Sequence, residues 1–213
     1  MTHYFANTTP DVTPSERAHS DYVRAIAGEC MVLLENDGTL PLAAPQKVAL
    51  YGNGARATVK GGTGSGEVNS RYSVSVEQGL EAAGFTVTTK DWLAAQDQAI
   101  QEEHAAYMAD VHKRAEAAGL PDFFVMFNEH FVPRALAPFR KAEGDLAIYV
   151  LARNSGEGSD RDDAPGDYEL TQDEIDLLTA LGQNYKHVVL LLNLGGVINA
   201  ATLKAIPGIS ASL

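Results

Sequence analysis

One cysteine, Cys30, stands in a chain of 213 residues. A single thiol cannot close an internal disulfide, and Cys30 is expected as a small apolar residue on a helix face. Basic residues are also scarce. Sixteen Lys and Arg face 28 Asp and Glu, for a formal net charge of −12. No basic block offsets this balance, which argues against nucleic acid or an anionic membrane as a partner. A neutral or cationic small molecule is easier to accommodate. Long apolar runs are missing: no stretch approaches the ~20 residues a membrane helix needs. The opening MTHYFANTTPDVTPSER has no apolar signal core. The expected location is the cytoplasm.

What is present is an ordinary globular composition, 45% hydrophobic. The length suffices for one core or a core with an appendage. Residues 1–12 are polar and are expected as a mobile lead-in to an α/β domain over 13–213. Thr13-Pro14-Ser15-Glu16 has the form of a capping box with proline at the first helical position. Tyr22, Ile26 and Leu33 would then stripe one helix face, and Gly38 would stop the helix. Lys47–Tyr51 reads as a short buried strand. Residues 74–83 read as a helix stopped by Gly84, and Phe85–Thr88 as a strand.

A long helix is expected from Trp92 to about Ala118, with Ile100, Tyr107, Met108, Val111 and Ala115 on one face. Residues 120–141 hold several prolines and aromatics. They read as an ordered excursion, which makes 92–141 a helical and aromatic insertion. A second core strand spans 146–151. Thr171–Glu174 forms another capping box, flanked by Leu170 and Ile175 as a hydrophobic staple, and its helix runs to about Leu181. His187–Asn193 is a continuous apolar strand, expected to be buried on both faces. The last five residues alternate with period two, as a strand whose sheet would continue beyond Leu213.

Strands alternate with helices, and at least two strands lack polar alternation. The fold class is therefore α/β: an open, mostly parallel sheet flanked by helices, a three-layer α/β/α sandwich. Ligands in such sheets gather at the carboxyl ends of strands. Two glycine-rich loops, 52–66 and 153–166, lie at such ends.

Each candidate constellation has an ordinary reading beside it. Gly52-Asn53-Gly54-Ala55-Arg56-Ala57 meets the loose dinucleotide pattern, but no acidic residue follows at the required distance and the next residues are too glycine-rich for a helix. A plain strand-to-loop turn fits better. Gly61–Gly66 lacks the Lys-Ser/Thr of a phosphate loop. Its glycines suit a backbone lying close to a ligand or partner domain. The six histidines are scattered. His104 and His112 share a helix face without completing a metal triad, and neither metal nor cofactor is expected. Asp21, in Ser-Asp-Tyr, reads as a solvated helix residue. Glu157, flanked by glycines after a core strand, is the sharpest candidate. A general acid needs a carboxyl group whose pKa burial or a neighbouring carboxylate has raised.

Taken together, VLLENDGTLPL (32–42), KVALYGNGA (47–55), GGTGSGEV (61–68), SGEGSDR (155–161), LTQDEIDLL (170–178) and VVLLLNLGGVI (188–198) resemble glycoside hydrolase family 3. The likeness is to the α/β sandwich domain that usually follows the catalytic barrel. The resemblance implies retaining hydrolysis of β-linked glycosides, with Glu157 as acid/base. It implies that Gly64, Ser65 and Gly66 line the aglycone side of the pocket. Asp160 and Arg161 match the family's Asp-Arg pair, a loop-fixing element. The nucleophilic aspartate would come from a barrel domain absent from this chain. The order of parts points to an inverted-order member, truncated after the sandwich. The insertion would reach the barrel or a second copy in a homo-oligomer. By itself such a chain would be inactive. The alternative is a non-catalytic α/β module that binds a small ligand or nucleotide at the same strand ends.

Overall fold

A computed structural model describes residues 10–62, 70–127, 131–156 and 161–213. The chain divides into two compact units, Met1–Leu33 and Leu34–Leu213. In the first, α1 spans Pro14–Ile26. The Thr13 hydroxyl accepts from Glu16 N at 3.2 Å, and Glu16 Oε2 accepts from Thr13 N at 2.8 Å. This is the capping box expected from the sequence. The helix is shorter than its apolar spacing suggested. It passes into a 3₁₀ turn at Ala27–Cys30, and the chain is extended at Met31. Gly28 weakens the helix there, because glycine loses most backbone freedom on ordering. Cys30 is exposed rather than packed.

In the second unit the strands are β1 (Glu35–Asn36), β2 (Lys47–Tyr51), β3 (Thr86–Val87), β4 (Leu146–Arg153), β5 (His187–Leu194) and β6 (Ala211–Ser212). The helices are α2 (Val76–Ala82), α3 (Lys90–Ala118), α4 (Asp122–Phe127), α5 (Gln172–Asn184) and α6 (Ala200–Ala205). The sheet order is β1-β6-β5-β4-β2-β3. Every pair is parallel except β1 with β6. With helices between the strands, this is the three-layer α/β sandwich the sequence pointed to. No helix among the described residues is long and apolar enough to cross a membrane.

The centre of the sheet is the driest part. All eight residues of β4 are buried, and β4 pairs with β5 from Leu146↔His187 to Arg153↔Leu194. β5 is buried from Val188 to Leu190 and only half-buried at His187 and beyond Leu190, short of the two-sided burial expected. On the far flank β3 is only two residues long, and a side chain extends the ladder. Thr89 Oγ1 donates to Leu50 O at 2.7 Å and accepts from Leu50 N at 2.8 Å.

Two further expectations need correction. Gly38 lies in the turn after β1 and stops no helix. α5 runs three residues beyond Leu181, to Asn184. The alternating tail does form a strand, β6, and β1 pairs along it, with Leu34 N donating to Ser212 O at 2.8 Å and Asp37 N to Ser210 O at 2.9 Å.

The 29-residue α3 begins at Lys90 and buries Trp92, Leu93, Gln96, Val111 and Ala115. Ile100, Tyr107 and Met108, expected on that face, are half-buried. Residues 131–141 run as irregular chain fixed by side chains. Gln96 Nε2 donates to Ala135 O at 2.8 Å while its Oε1 accepts from Ala137 N at 2.9 Å. Trp92 Nε1 donates to Pro138 O at 3.1 Å, and Tyr51 Oη to Arg140 O at 2.8 Å. Each bond satisfies a backbone group that has no strand partner.

Candidate active site

The connection leaving β2 leads through α2 to β3 on one side. The connection leaving β4 leads through α5 to β5 on the other. β2 and β4 are neighbours, so the sheet changes direction between them. In open α/β sheets that switch point opens a crevice outside the carboxyl ends of the strands. Both glycine-rich loops start there.

The loop after β2 is fixed at its root. Gly52 has φ +97°, and a Cβ on it would lie 2.2 Å from Val150 O, so only glycine fits this turn. Asn53 is buried and bridges to β4: its Nδ2 donates to Ala152 O at 3.0 Å and its Oδ1 accepts from Ala152 N at 2.9 Å. Asn193 on β5 treats Val59 in the same way, accepting from its N at 2.7 Å and donating to its O at 2.9 Å. Arg56 ties the loop to two helices. It forms a two-point pair with Glu77 at 2.6 and 3.0 Å and reaches Asp97 at 2.7 Å. Lys90 also bonds Glu77, at 2.6 Å. The Arg56 guanidinium holds the Glu77 carboxyl down to about 2. No helix opens directly after Gly54, as a dinucleotide site would require; α2 begins at Val76.

The loop after β4 leaves from a buried ion pair. Arg153 ends the strand with its side chain 2% exposed, and Nη2 donates to both Glu174 oxygens at 2.7 and 2.6 Å. Ser155 is wedged between neighbouring loops. A Cβ on Gly62 would lie 3.0 Å from Ser155 O, and one on Gly195 would lie 2.7 Å from Ser155 Oγ. Where the chain re-enters the described residues, Arg161 Nη1 donates to Asp167 Oδ1 at 2.5 Å. Asp167 Oδ2 accepts from Asp162 N at 2.8 Å. A cavity of about 230 Å³ lies at these strand ends, with Asn53, Val59, Phe131, Arg153 and Arg161 in its wall.

Of the residues singled out from sequence, Arg161 is placed, and its guanidinium pairs with Asp167. Glu157, Asp160, Gly64, Ser65, Gly66 and the neighbouring Glu67 lie outside the described residues. Among the described residues, no group of three or more His, Cys, Asp or Glu could hold a metal ion. His104 packs its ring edge-on against Phe131, with centroids 4.9 Å apart, and His112 faces Asp122 at 3.3 Å. Sequence reasoning missed Asn53, Asn193, Arg153, Glu174 and Asp167 as builders of the site. Arg153 carried a signal: it is a charged residue closing an otherwise apolar strand, directly before the glycine loop.

The fold is thus an α/β sandwich whose two glycine-rich loops leave the sheet at its switch point. The chain belongs to the glycosyl hydrolase family 3 C-terminal domain, whose family model matches residues 31–213. Beta-glucosidase A of Butyrivibrio fibrisolvens is 30% identical over 225 residues, an overlap of 95% of this chain and 25% of the relative. A beta-glucosidase of Ruminococcus albus is 29% identical over 178 residues, covering 82% of this chain and 17% of the relative. The structure of beta-glucosidase 3B from Thermotoga neapolitana in complex with alpha-D-glucose superposes with a TM-score of 0.66 at 26% identity. That match covers 94% of this chain and 27% of the solved one. The chain thus spans about a quarter of the length of such relatives.

Proposed function

We propose that this domain supplies the acid/base loop of a retaining β-glycosidase, of the β-glucosidase or β-xylosidase type, with Glu157 as the acid/base. Retaining hydrolysis needs two carboxyl groups roughly 5–5.5 Å apart. Glu157 gives its proton to the glycosidic oxygen as the bond to the leaving group breaks. It then takes a proton from the water that attacks the glycosyl-enzyme. The nucleophilic aspartate comes from a catalytic barrel outside this chain. Gly64, Ser65 and Gly66 border the aglycone side, and Asp160 and Arg161 steady the loop.

One observation carries the reading. Within a chain of this family, the Ser-Gly-Glu-Gly segment starts from the fully buried strand β4 at the sheet's switch point. Flanking glycines let the loop bend over a substrate, while the strand and the Arg153–Glu174 pair keep its root rigid.

In the glycosidase that contains this domain, Glu157→Ala slows glycosides with poor leaving groups most, because these need protonation as the bond breaks. General acid–base assistance of this kind is worth about 100- to 10,000-fold. Substrates with acidic leaving groups form the glycosyl-enzyme at close to the normal rate. Glu67→Ala is the control carboxylate and shows no such split. A split seen with Glu67→Ala and absent with Glu157→Ala would reassign the acid/base.

A further inference from the structure

α3 is far longer than the sheet it packs against. Its 29 residues make a rod of about 43 Å, whereas the eight-residue β4 and β5 span about 26 Å. Its course can be followed level by level. The Trp92 ring stands edge-on to the Tyr51 ring with centroids 4.9 Å apart, and Tyr51 is level with Tyr149 in the middle of β4. Ile100 shares a cavity wall with Arg153 and Asn154 at the carboxyl end of β4. Between Trp92 and Ile100, α3 therefore climbs with the strands to the carboxyl-end rim. The remaining turns, to Ala118, carry the helix about 27 Å beyond it.

Gly119, with φ +66°, turns the chain, and α4 packs back on the end of α3. Val111 and Ala115 are buried in this stretch, and His112 faces Asp122. Nearer the sheet, Glu103 Oε2 accepts from Arg134 N and Ala135 N, both at 2.9 Å. α3 and α4 thus form an arm that rises from the rim where both glycine-rich loops leave the sheet. At its tip, Leu120, Phe123, Phe124 and Met126 are exposed, the two phenylalanines by 64% and 53%. Single exposed apolar residues are ordinary, but four within seven positions make a patch of the kind that marks an interaction surface.

We propose that the tip of this arm docks on the part of the glycosidase that carries the nucleophile. This inference rests on the function proposed above, which puts that carboxylate outside this chain. Retaining hydrolysis needs its two carboxyl groups about 5–5.5 Å apart, so the nucleophile-bearing part must close on the carboxyl-end rim. An arm rising so far from that rim then stands beside it. There is chain enough to fill the place, since this chain spans about a quarter of the length of its relatives. A second copy of the domain is the poorer occupant, because each copy has a formal net charge of −12 and like charges repel. The receiving surface is apolar at its centre, where the phenyl rings leave water, and polar at its edge.

The test is photo-cross-linking in the glycosidase that contains this domain. Phe123→p-benzoylphenylalanine places a light-activated group at the tip. Irradiation is expected to join residue 123 to peptides of the same polypeptide outside residues 1–213, with no product of doubled mass on a denaturing gel. Joining to a second copy, joining only within this domain, or no joining at all overturns the inference. Should that variant fail to fold, the same group is placed at Leu120 and read in the same way. Phe123→Ser with Phe124→Ser gives a second readout and leaves the domain's own core intact. Limited proteolysis between this domain and the rest of the glycosidase tracks the open population, and it should run about tenfold faster or more once the aromatic anchors are gone. Cleavage at the parent's rate overturns the inference. The function is tested apart. If Glu157→Ala slows poor and acidic leaving groups alike, the acid/base reading has failed, whatever residue 123 is joined to. If Glu157→Ala separates them and residue 123 joins elsewhere, only the docking has failed.

Discussion

Glu77 shows how one carboxylate can organise a loop it does not belong to. It sits in the first turn of α2, receives Arg56 from the loop after β2, and also holds Lys90 at the start of α3. Arg56 is the main reason its carboxyl titrates at about 2, against an ordinary 4.5. Because the folded value lies below the unfolded one, the stabilisation is complete above about pH 5 and is lost as pH falls through about 2. Glu77→Gln is expected to cost about 2 kcal/mol at pH 7, since two cations lose their shared partner. The gap between variant and parent should narrow steadily in urea unfolding from pH 5 down to pH 3. A gap that stays constant with pH would contradict the assignment. None of this was legible in the sequence. Arg56 and Glu77 are 21 positions apart, and the glycine pattern around Arg56 drew attention to nucleotides instead.

Among the strands of the described residues, β1 is the one the sequence concealed. Residues 35–36 lie in a stretch read as the end of a helix, because Gly38 looked like a stop signal. The competing principle was tertiary: β6 has an open side, and a short antiparallel strand satisfies its backbone groups. Leu34→Pro removes the N–H that Ser212 O accepts. The substitution should cost about 1–2 kcal/mol and bare part of the β6 edge. Light scattering should then detect self-association that the parent lacks at equal concentration. A variant as monodisperse and as stable as the parent would show that β1 adds nothing to the sheet. The capping boxes at Thr13 and Thr171, by contrast, were readable to the residue, because a cap is a local bargain between four neighbouring residues. The core strands were readable too, since burial on both faces leaves an unbroken apolar run.

At the scale of the whole molecule, the order of the parallel strands explains why the two glycine loops converge. Sequence patterns gave the strands and placed both loops at carboxyl ends. They could not give the neighbour relation of β2 and β4, which contact across nearly a hundred residues through Val48↔Leu146 to Tyr51↔Tyr149. The asparagine bridges followed from that relation and were equally hidden. The proposed division of labour has a simple consequence. Half of a two-carboxylate site cannot catalyse, and losing a catalytic carboxylate costs several orders of magnitude. The isolated 213-residue chain is expected to leave aryl β-glucosides unhydrolysed over hours at micromolar concentration. Turnover at an ordinary glycosidase rate would show that the chain holds both carboxylates.

The central claim is that Glu157 is the acid/base, and azide tests it most directly. In the glycosidase carrying Glu157→Ala, an aryl β-glycoside with an acidic leaving group should load the nucleophile and then stall, because water lacks its base. Azide needs no base, so adding it should restore turnover. The product should be the β-glycosyl azide, identified by nuclear magnetic resonance, in keeping with two inversions at the anomeric carbon. Absence of rescue, with the variant folded and still binding substrate, would contradict the account. So would an α-glycosyl azide, which would place the chemistry outside a retaining double displacement.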